Sequence, residues 1–393
     1  MDRTILNTEI QDFIEKATEK DVVKLALQKN PFTASNWKEI INQIAAKQKA
    51  KDKLPTWFNS KNIIYPSKIS VEQTSSEKTA AYKANLVFGD TLIDLSGGFG
   101  VDTFYFSKKT NKVIHCEINP ALSEIVSYNF KLLQVKNIQC LTGDSEQILK
   151  NSYQKFDWIY IDPSRRNEAK GKVFMLKDCL PNVPQLLDLY FNYSSAILIK
   201  TAPILDLTAG ISELKNVKEI HVLAVQNEVK ELIWILEKEY QKPIQIKTCN
   251  ILKEGQEIFE APFLETELLV VYGAPKKYLY EPNAAIMKSG LFNAIAIKFS
   301  IEKLHKNSHL YTSETVINFP GRIFEIENII PYQKSEMKSL LENKKANVTV
   351  RNFPDSVENI RKKWKIKEGG SLYCFFTTDL NDNKIVLLCS KLK

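Results

Sequence analysis

The sequence predicts an α/β protein: a Rossmann-like, doubly wound parallel sheet with a helical region before it and a small α+β part after it. Three observations predict this. Short β-rich apolar runs alternate with helical ones from residue 91 onward, a glycine-rich turn follows the first run, and acidic residues close four consecutive runs. The chain has 393 residues, 44% hydrophobic and 25% charged, with only 13 Gly and 15 Pro. That leaves apolar mass for packed cores and excludes disordered and collagen-like classes.

The first 75 or so residues read as helical. IQDFIEKATEKDVVKLALQ and NWKEIINQIAAKQKAKDK repeat apolar residues at three- and four-residue intervals, with Asn30-Pro31 as a break between them. The segment EQTSSEKTAAYKA precedes the first strand and carries a capping serine, Ser76. Then come TLIDLS, KVIHCEI, IQCLTGD, FDWIYID, SSAILIKTA, EIHVLAV and ELLVVYG, which read as strands apolar on both faces, as a helix-covered parallel sheet requires. Beyond Gly273-Ala274-Pro275, KYLYEPNAAIMKSGLFNAIAIKF suggests a turn and a helix, and INFPGRIFEIENI a strand. The end reads as strand (ANVTVRNFP), helix (DSVENIRKKWKI) and two strands joined by Asn381-Asp382-Asn383. The expected organisation is a helical region over 1–75, the sheet domain over 76–272, a small α+β module over 273–316 and a basic α+β domain over 317–393.

Charge separates these parts. The net charge is +8, from 54 Lys plus Arg against 46 Asp plus Glu; residues 273–393 hold 20 basic and 12 acidic side chains, a surplus equal to the whole net charge. A polyanionic partner for the C-terminal part is one reading and a solvated lysine-rich surface the other. No run of about 18 apolar residues occurs, and MDRTILNTEIQDF opens with charges and amides, so a soluble, cytoplasmic protein without a membrane partner is expected. The six cysteines, Cys116, Cys140, Cys179, Cys249, Cys374 and Cys389, lack zinc spacing and read as reduced structural thiols. His305 and His309 lack an evident third ligand, so no metal is expected. No triad is visible, and no base accompanies Cys179 or Cys249.

In open α/β sheets the ligand lies beyond the carboxyl ends of the strands. There this sequence places Asp94-Leu-Ser96-Gly97-Gly98-Phe-Gly100-Val-Asp102-Thr103, then Glu117, then Gly143-Asp144, then Asp162-Pro163-Ser164-Arg165-Arg166. The glycines permit a tight turn and close approach of a ligand to the backbone. Their order is not G-x-G-x-x-G, and an acid precedes them on the strand. A carboxylate there suits a ligand with an ammonium or sulfonium centre better than a pyrophosphate, which argues against a nicotinamide-dependent oxidoreductase. Each acid also has a plainer reading as a cap or turn residue, and Asp102 and Thr103 read equally as helix cap and ligand neighbour.

The stretch 91–200 resembles the core of class I S-adenosylmethionine-dependent methyltransferases, whose first motif, D/E-x-G-x-G-x-G, is met by Asp94, Ser96, Gly98 and Gly100, with Ser96 in place of a glycine. The resemblance implies S-adenosyl-L-methionine as cofactor, its methionine part held by the first loop, its ribose by Glu117 and its adenine by Asp144. It also gives Gln73, Ser75 and Lys83 as candidates at the methionine end. Asp162-Pro163-Ser164-Arg165 is similar to the D/N-P-P-Y/F/R motif of methyltransferases acting on base nitrogens. That motif implies Asp162 and the Pro163 carbonyl as the groups orienting an amino nitrogen, with Ser164, Arg165 and Arg166 on the substrate side. Ser164 and Arg165 depart from the motif's proline and aromatic residue. Lys200, Asn227 and Glu228 are further rim candidates.

The whole chain resembles bacterial methyltransferases with a THUMP-like C-terminal domain, through Glu72-Gln73, Ser75-Ser76-Glu77, DLSGGFGVDT, DPSRR, KKANVTVRNFP and GGSLYCFFTT. It implies an RNA substrate, tRNA or rRNA. Lys362, Lys363 and Trp364, among Arg361, Lys365 and Lys367, read as a nucleic-acid grip in which charge tracks phosphates and the indole stacks on a base. Trp364 reads alternatively as a core anchor. A methyltransferase acting on a protein or small molecule, and a non-catalytic RNA-binding protein with the same fold, are the competing functions.

Overall fold

The structure is a computed structural model that describes residues 3–32, 36–165, 175–264 and 268–393. It forms two compact units, Met1–Lys218 with Leu232–Lys242, and Glu219–Glu231 with Pro243–Lys393.

In the first unit the helical region is built as its periodicity dictates, with one difference. IQDFIEKATEKDVVKLALQ is two helices, Thr8–Ala17 and Val22–Ala26, because Asp21 opens a new one by accepting the N–H groups of Val23 and Lys24. The long helix Trp37–Lys53 buries Ile40 and Ile44 against Ile10, Ile14 and Ala17. Its far end sends Ala46 and Ala50, with Leu54 and Trp57, into one cluster with Phe99, Val101, Phe104 and Phe130. The helical region therefore packs beneath the glycine turn. Buried Glu77 strengthens that join by accepting from the Thr56 N–H, the Thr56 hydroxyl and the Tyr105 hydroxyl.

The sheet strands are β1 (Thr91–Asp94), β2 (Lys112–Glu117), β3 (Ile138–Thr142), β4 (Phe156–Ile161), β5 (Ser194–Thr201), β6 (Val217–Val225) and β7 (Glu228–Glu237). The first unit contains the order β3-β2-β1-β4-β5-β7. Every pairing from β3 to β5 is parallel, and β7 runs antiparallel to β5, with Thr201 opposite Leu232. Parallel strands put their carboxyl ends on one rim. β1 adjoins β2 on one side and β4 on the other, so the two crossovers diverge there and leave a crevice at the switch point.

β7 was not legible as a strand. The strand expected over 267–273 does not form across its described part, 268–273: Leu269 is 96% and Val271 66% exposed, and only Tyr272 makes a bridge, to Lys303. Leu232–Leu236 is fully apolar and buried on both faces, which is what an inner strand demands.

In the second unit β6 turns through Gln226 and Asn227, both at positive φ, into β7. β6 pairs in parallel with β8 (Gln245–Ile251), and β8 antiparallel with β9 (Gln256–Pro262). Asn227 bonds Asn250 and the Ala284 N–H, and Glu228 pairs with Lys230. These two rim candidates thus serve a hairpin, with Glu228 opening β7. The rest is a seven-stranded sheet of β10 (Tyr278–Pro282), β11 (Glu302–Lys303), β12 (Tyr311–Ser313), β13 (Gly321–Pro331), β14 (Asn347–Val350), β15 (Leu372–Thr378) and β16 (Lys384–Lys391), in the order β11-β12-β10-β13-β16-β15-β14. KYLYEP, expected as a turn, is largely strand β10. Helix Val357–Trp364 forms as expected, capped by Ser356.

Trp364 corrects one expectation. It is 6% exposed, in a core with Met337, Leu341, Ile360 and Phe376, and it is not available to stack on a base. Lys362 and Lys363 remain exposed on the same helix. No helix among the described residues is long and apolar enough to cross a membrane.

Candidate cofactor site

The turn after β1 is held from inside. Asp94, 1% exposed, accepts from the Ser96 N–H (2.9 Å), the Ser96 hydroxyl (2.9 Å), the Gly97 N–H (3.1 Å) and the Thr103 hydroxyl (2.5 Å). Burial pushes its carboxyl up to about 7, against the pull of those hydrogen bonds. Its oxygens hold the loop, and Asp94 also borders one of the cavities of the crevice. Ser96, the departure from the glycine motif, has a use of its own: its hydroxyl also accepts the Asp162 N–H at 2.9 Å, tying the first loop to the end of β4.

The glycines divide by what surrounds them. A Cβ at Gly97 (φ 52°) would sit 2.3 Å from the Cys116 carbonyl, and one at Gly100 (φ 76°) 2.6 Å from the Phe130 ring. A Cβ at Gly98 (φ 65°) meets nothing within 4 Å. Gly97 and Gly100 are therefore required by the protein's own packing, while Gly98 opens onto the crevice.

Glu117, 7% exposed at the end of β2, accepts the Gly98 N–H (2.8 Å) and the Asn119 N–H (2.7 Å), leaving each oxygen a further lone pair. Asp144 caps helix Ser145–Lys150 through the Gln147 N–H and is also exposed at the crevice. Asp102 belongs to a buried network. It accepts the hydroxyls of Ser75 (2.8 Å) and Tyr160 (2.7 Å) and pairs at 3.0 Å with Lys83, which is wholly buried and also donates to Ser75. Burial opposes its ionised form, yet the ammonium groups of Lys83 and Lys200 and both hydroxyls hold it below the usual carboxylate range. Asp162 Oδ2 pairs with Lys200 at 2.6 Å. Sequence reasoning missed Tyr160; its signal is that it lies two residues before Asp162, on the same strand face.

Two adjoining cavities share Ser96, Asp162 and Ser164 as walls. One, of about 580 Å³, is lined by Glu117, Ile118, Asp144, Ser145 and Gln185 among others. Ile118, 70% exposed, offers it an apolar surface. The other, of about 490 Å³, is lined by Gln73, Ser75, Gly97, Gly98, Asp102, Pro163 and Lys200 among others. The crevice thus brings together Asp94, Ser96, Gly97, Gly98, Gly100, Asp102, Glu117, Asp144, Asp162, Pro163 and Ser164. The Arg165 side chain and Arg166 lie outside the described residues. Lys362, Lys363 and Trp364 belong to the second unit. Among the described residues no group of three or more His, Cys, Asp or Glu could hold a metal; His305 bonds Asp382 and Asn352, and His309 stacks on Phe292.

A ligand with a planar heterocycle, a diol and a flexible charged tail fits these walls. The apolar Ile118 and the Glu117 lone pairs suit the first two. The open backbone at Gly98 and the polar end at Ser75 and Gln73 suit the third.

Comparison with known proteins follows the same lines. Residues 278–320 match the ferredoxin-like domain family and residues 321–391 the THUMP domain-like family. No curated protein matches the chain. Among solved structures, a "putative methyltransferase" from Porphyromonas gingivalis W83 is 31% identical over 100% of this chain and 99% of its own, with a TM-score of 0.89. An rRNA methylase from Streptococcus thermophilus (13% identity, 42% of this chain, 96% of that chain) and a tRNA m1G37 methyltransferase from M. jannaschii (15%, 43%, 51%) each reach a TM-score of 0.30, too low to say anything of this chain. By its full-length likeness to the P. gingivalis protein and its two C-terminal domains, the chain belongs to the family of methyltransferase-fold proteins that end in a ferredoxin-like and a THUMP-like domain.

Proposed function

We propose that the protein is an S-adenosyl-L-methionine-dependent methyltransferase acting on a base nitrogen of RNA, tRNA or rRNA. The observation that carries the cofactor reading is Gly98, whose missing side chain leaves the crevice open between Glu117 and Asp162. When bound, the cofactor supplies an electrophilic methyl group on sulfur. Glu117 would accept its ribose hydroxyls, Ile118 would cover its adenine, Asp144 would face the adenine amino group, and the turn Ser96–Gly98 would hold the methionine part.

Asp162 and the Pro163 carbonyl are suited to accept N–H bonds from the acceptor and so turn its nitrogen lone pair toward the methyl group. Among the described residues no donor reaches Asp162 Oδ1, so one oxygen remains for substrate while Lys200 fixes the other. Alignment then supplies most of the rate, and no strong base is required. The THUMP-like domain and the basic surplus of residues 273–393 support RNA as acceptor. Lys362 and Lys363 are suited to phosphate contacts.

The test is to incubate the protein with methyl-labelled cofactor and total RNA from cells lacking it, alongside protein fractions, and identify the labelled nucleoside. Label in RNA is expected; label only in protein would overturn the acceptor class. Asp162→Ala should keep cofactor affinity and lose most turnover, and full turnover would remove Asp162 from the mechanism.

A further inference from the structure

We propose that Arg322 and Arg351, clasped on the buried carboxylate of Glu281, form a phosphate-binding fork for the nucleic-acid backbone, an inference that rests on the reading of RNA as the acceptor. Glu281 lies on β10 directly opposite Arg322 on β13, and its side chain is 4% exposed. Its Oε2 takes the Arg322 guanidinium through Nε (2.6 Å) and Nη2, and its Oε1 takes Arg351 Nη2 at 2.7 Å. One carboxylate balances one guanidinium, so a full positive charge is left over. Both arginines are about one-third exposed while the acid between them is covered. Solvent therefore reaches the arginine side chains and not the carboxylate, while Arg351 Nε is buried without a hydrogen-bond partner.

Lys303, 2% exposed, donates to the Asn293 side-chain oxygen (2.7 Å) and the Lys306 carbonyl. His309 is held down to about 4 by burial and then by the charges of Lys303 and Arg351, so it stays neutral near pH 7. The fork is also held in place. Arg351 donates to the Val350 carbonyl, and Asn352 turns the chain at φ 52°, its side chain bonding His305 and its carbonyl Thr378. The Arg322 guanidinium lies 5.4 Å from the centre of the Phe324 ring. Among the described residues no acceptor meets Arg322 Nη1. Planar donors fixed at two adjacent points match phosphate oxygens better than a mobile lysine does.

The alternative is a clasp that only joins strands, and salt separates the two. Filter binding of the full chain to an oligouridylate and to total tRNA, from about 50 to 200 mM salt, gives affinity and its salt slope. Arg322→Gln and Arg351→Gln should each weaken binding roughly tenfold at low salt and lower the slope by about 0.7. Arg351→Lys keeps a cation beside Glu281 without the fork, and should hold the slope while losing several-fold in affinity. Wild-type binding that is unchanged in all three variants, whatever their melting temperatures, would overturn the fork and leave the RNA reading standing. A wild-type chain that binds neither probe would overturn both.

Discussion

The strand-end crevice and the cluster around Glu281 handle charge in opposite ways. In the crevice the acids are matched from within: Asp94 by N–H groups and hydroxyls, Asp102 by Lys83, Asp162 by Lys200, and Glu117 by two N–H groups. Around Glu281 one carboxylate faces two guanidinium groups. The first region is a framework whose acids shape a cavity, with backbone and leftover lone pairs turned to the ligand. The second leaves net charge turned outward. Acid content in a cleft is therefore weak evidence for a cationic ligand until the acids' own partners are counted.

The sharpest way to break this contrast is Asp102→Ala, which leaves the wholly buried Lys83 without its carboxylate and should cost about 3–5 kcal/mol in chemical denaturation. A loss under about 1 kcal/mol would mean the network is not structural. Trp364→Ala should cost about 3–4 kcal/mol as a core truncation yet leave the salt slope of RNA binding unchanged. A lower slope would return the indole to the binding surface. Next, Gly97→Ala drives a methyl into a backbone carbonyl and should cost about 2–3 kcal/mol, whereas Gly98→Ala should cost about 1 kcal/mol. Equal costs, read from urea midpoints, would contradict the division of the glycines.

A pH dependence follows from the same burial of acids in the first region. Asp94 is raised to about 7 when folded, so between about pH 4 and 7 the folded state binds the extra proton. Stability should fall as pH rises through that window, and Asp94→Asn should flatten the slope. Denaturation midpoints that rise with pH in wild type relative to the variant would contradict the assignment.

The sheet was legible because parallel strands buried on both faces are continuous apolar runs, and the crevice because its residues cluster at their ends. β7 was missed because a central antiparallel strand looks like any other apolar run, and the equally apolar stretch 268–272 drew the strand reading instead. Tyr160 and the Asp162–Lys200 pair join residues far apart in sequence, and no spacing announces them. Glu281, Arg322 and Arg351 are ordinary charged residues until β10 and β13 bring the first two together. Trp364 misled because an aromatic among lysines reads alike on a binding face and on the apolar stripe of a short helix.

The central claim is that the open backbone at Gly98 holds the cofactor, and calorimetric titration of S-adenosyl-L-methionine into wild type and Gly98→Ala tests it most directly. Binding by the wild type, and loss of binding in a variant whose melting temperature stays close to it, is the expected result. No heat of binding in the wild type, or equal affinity in both proteins, would contradict it.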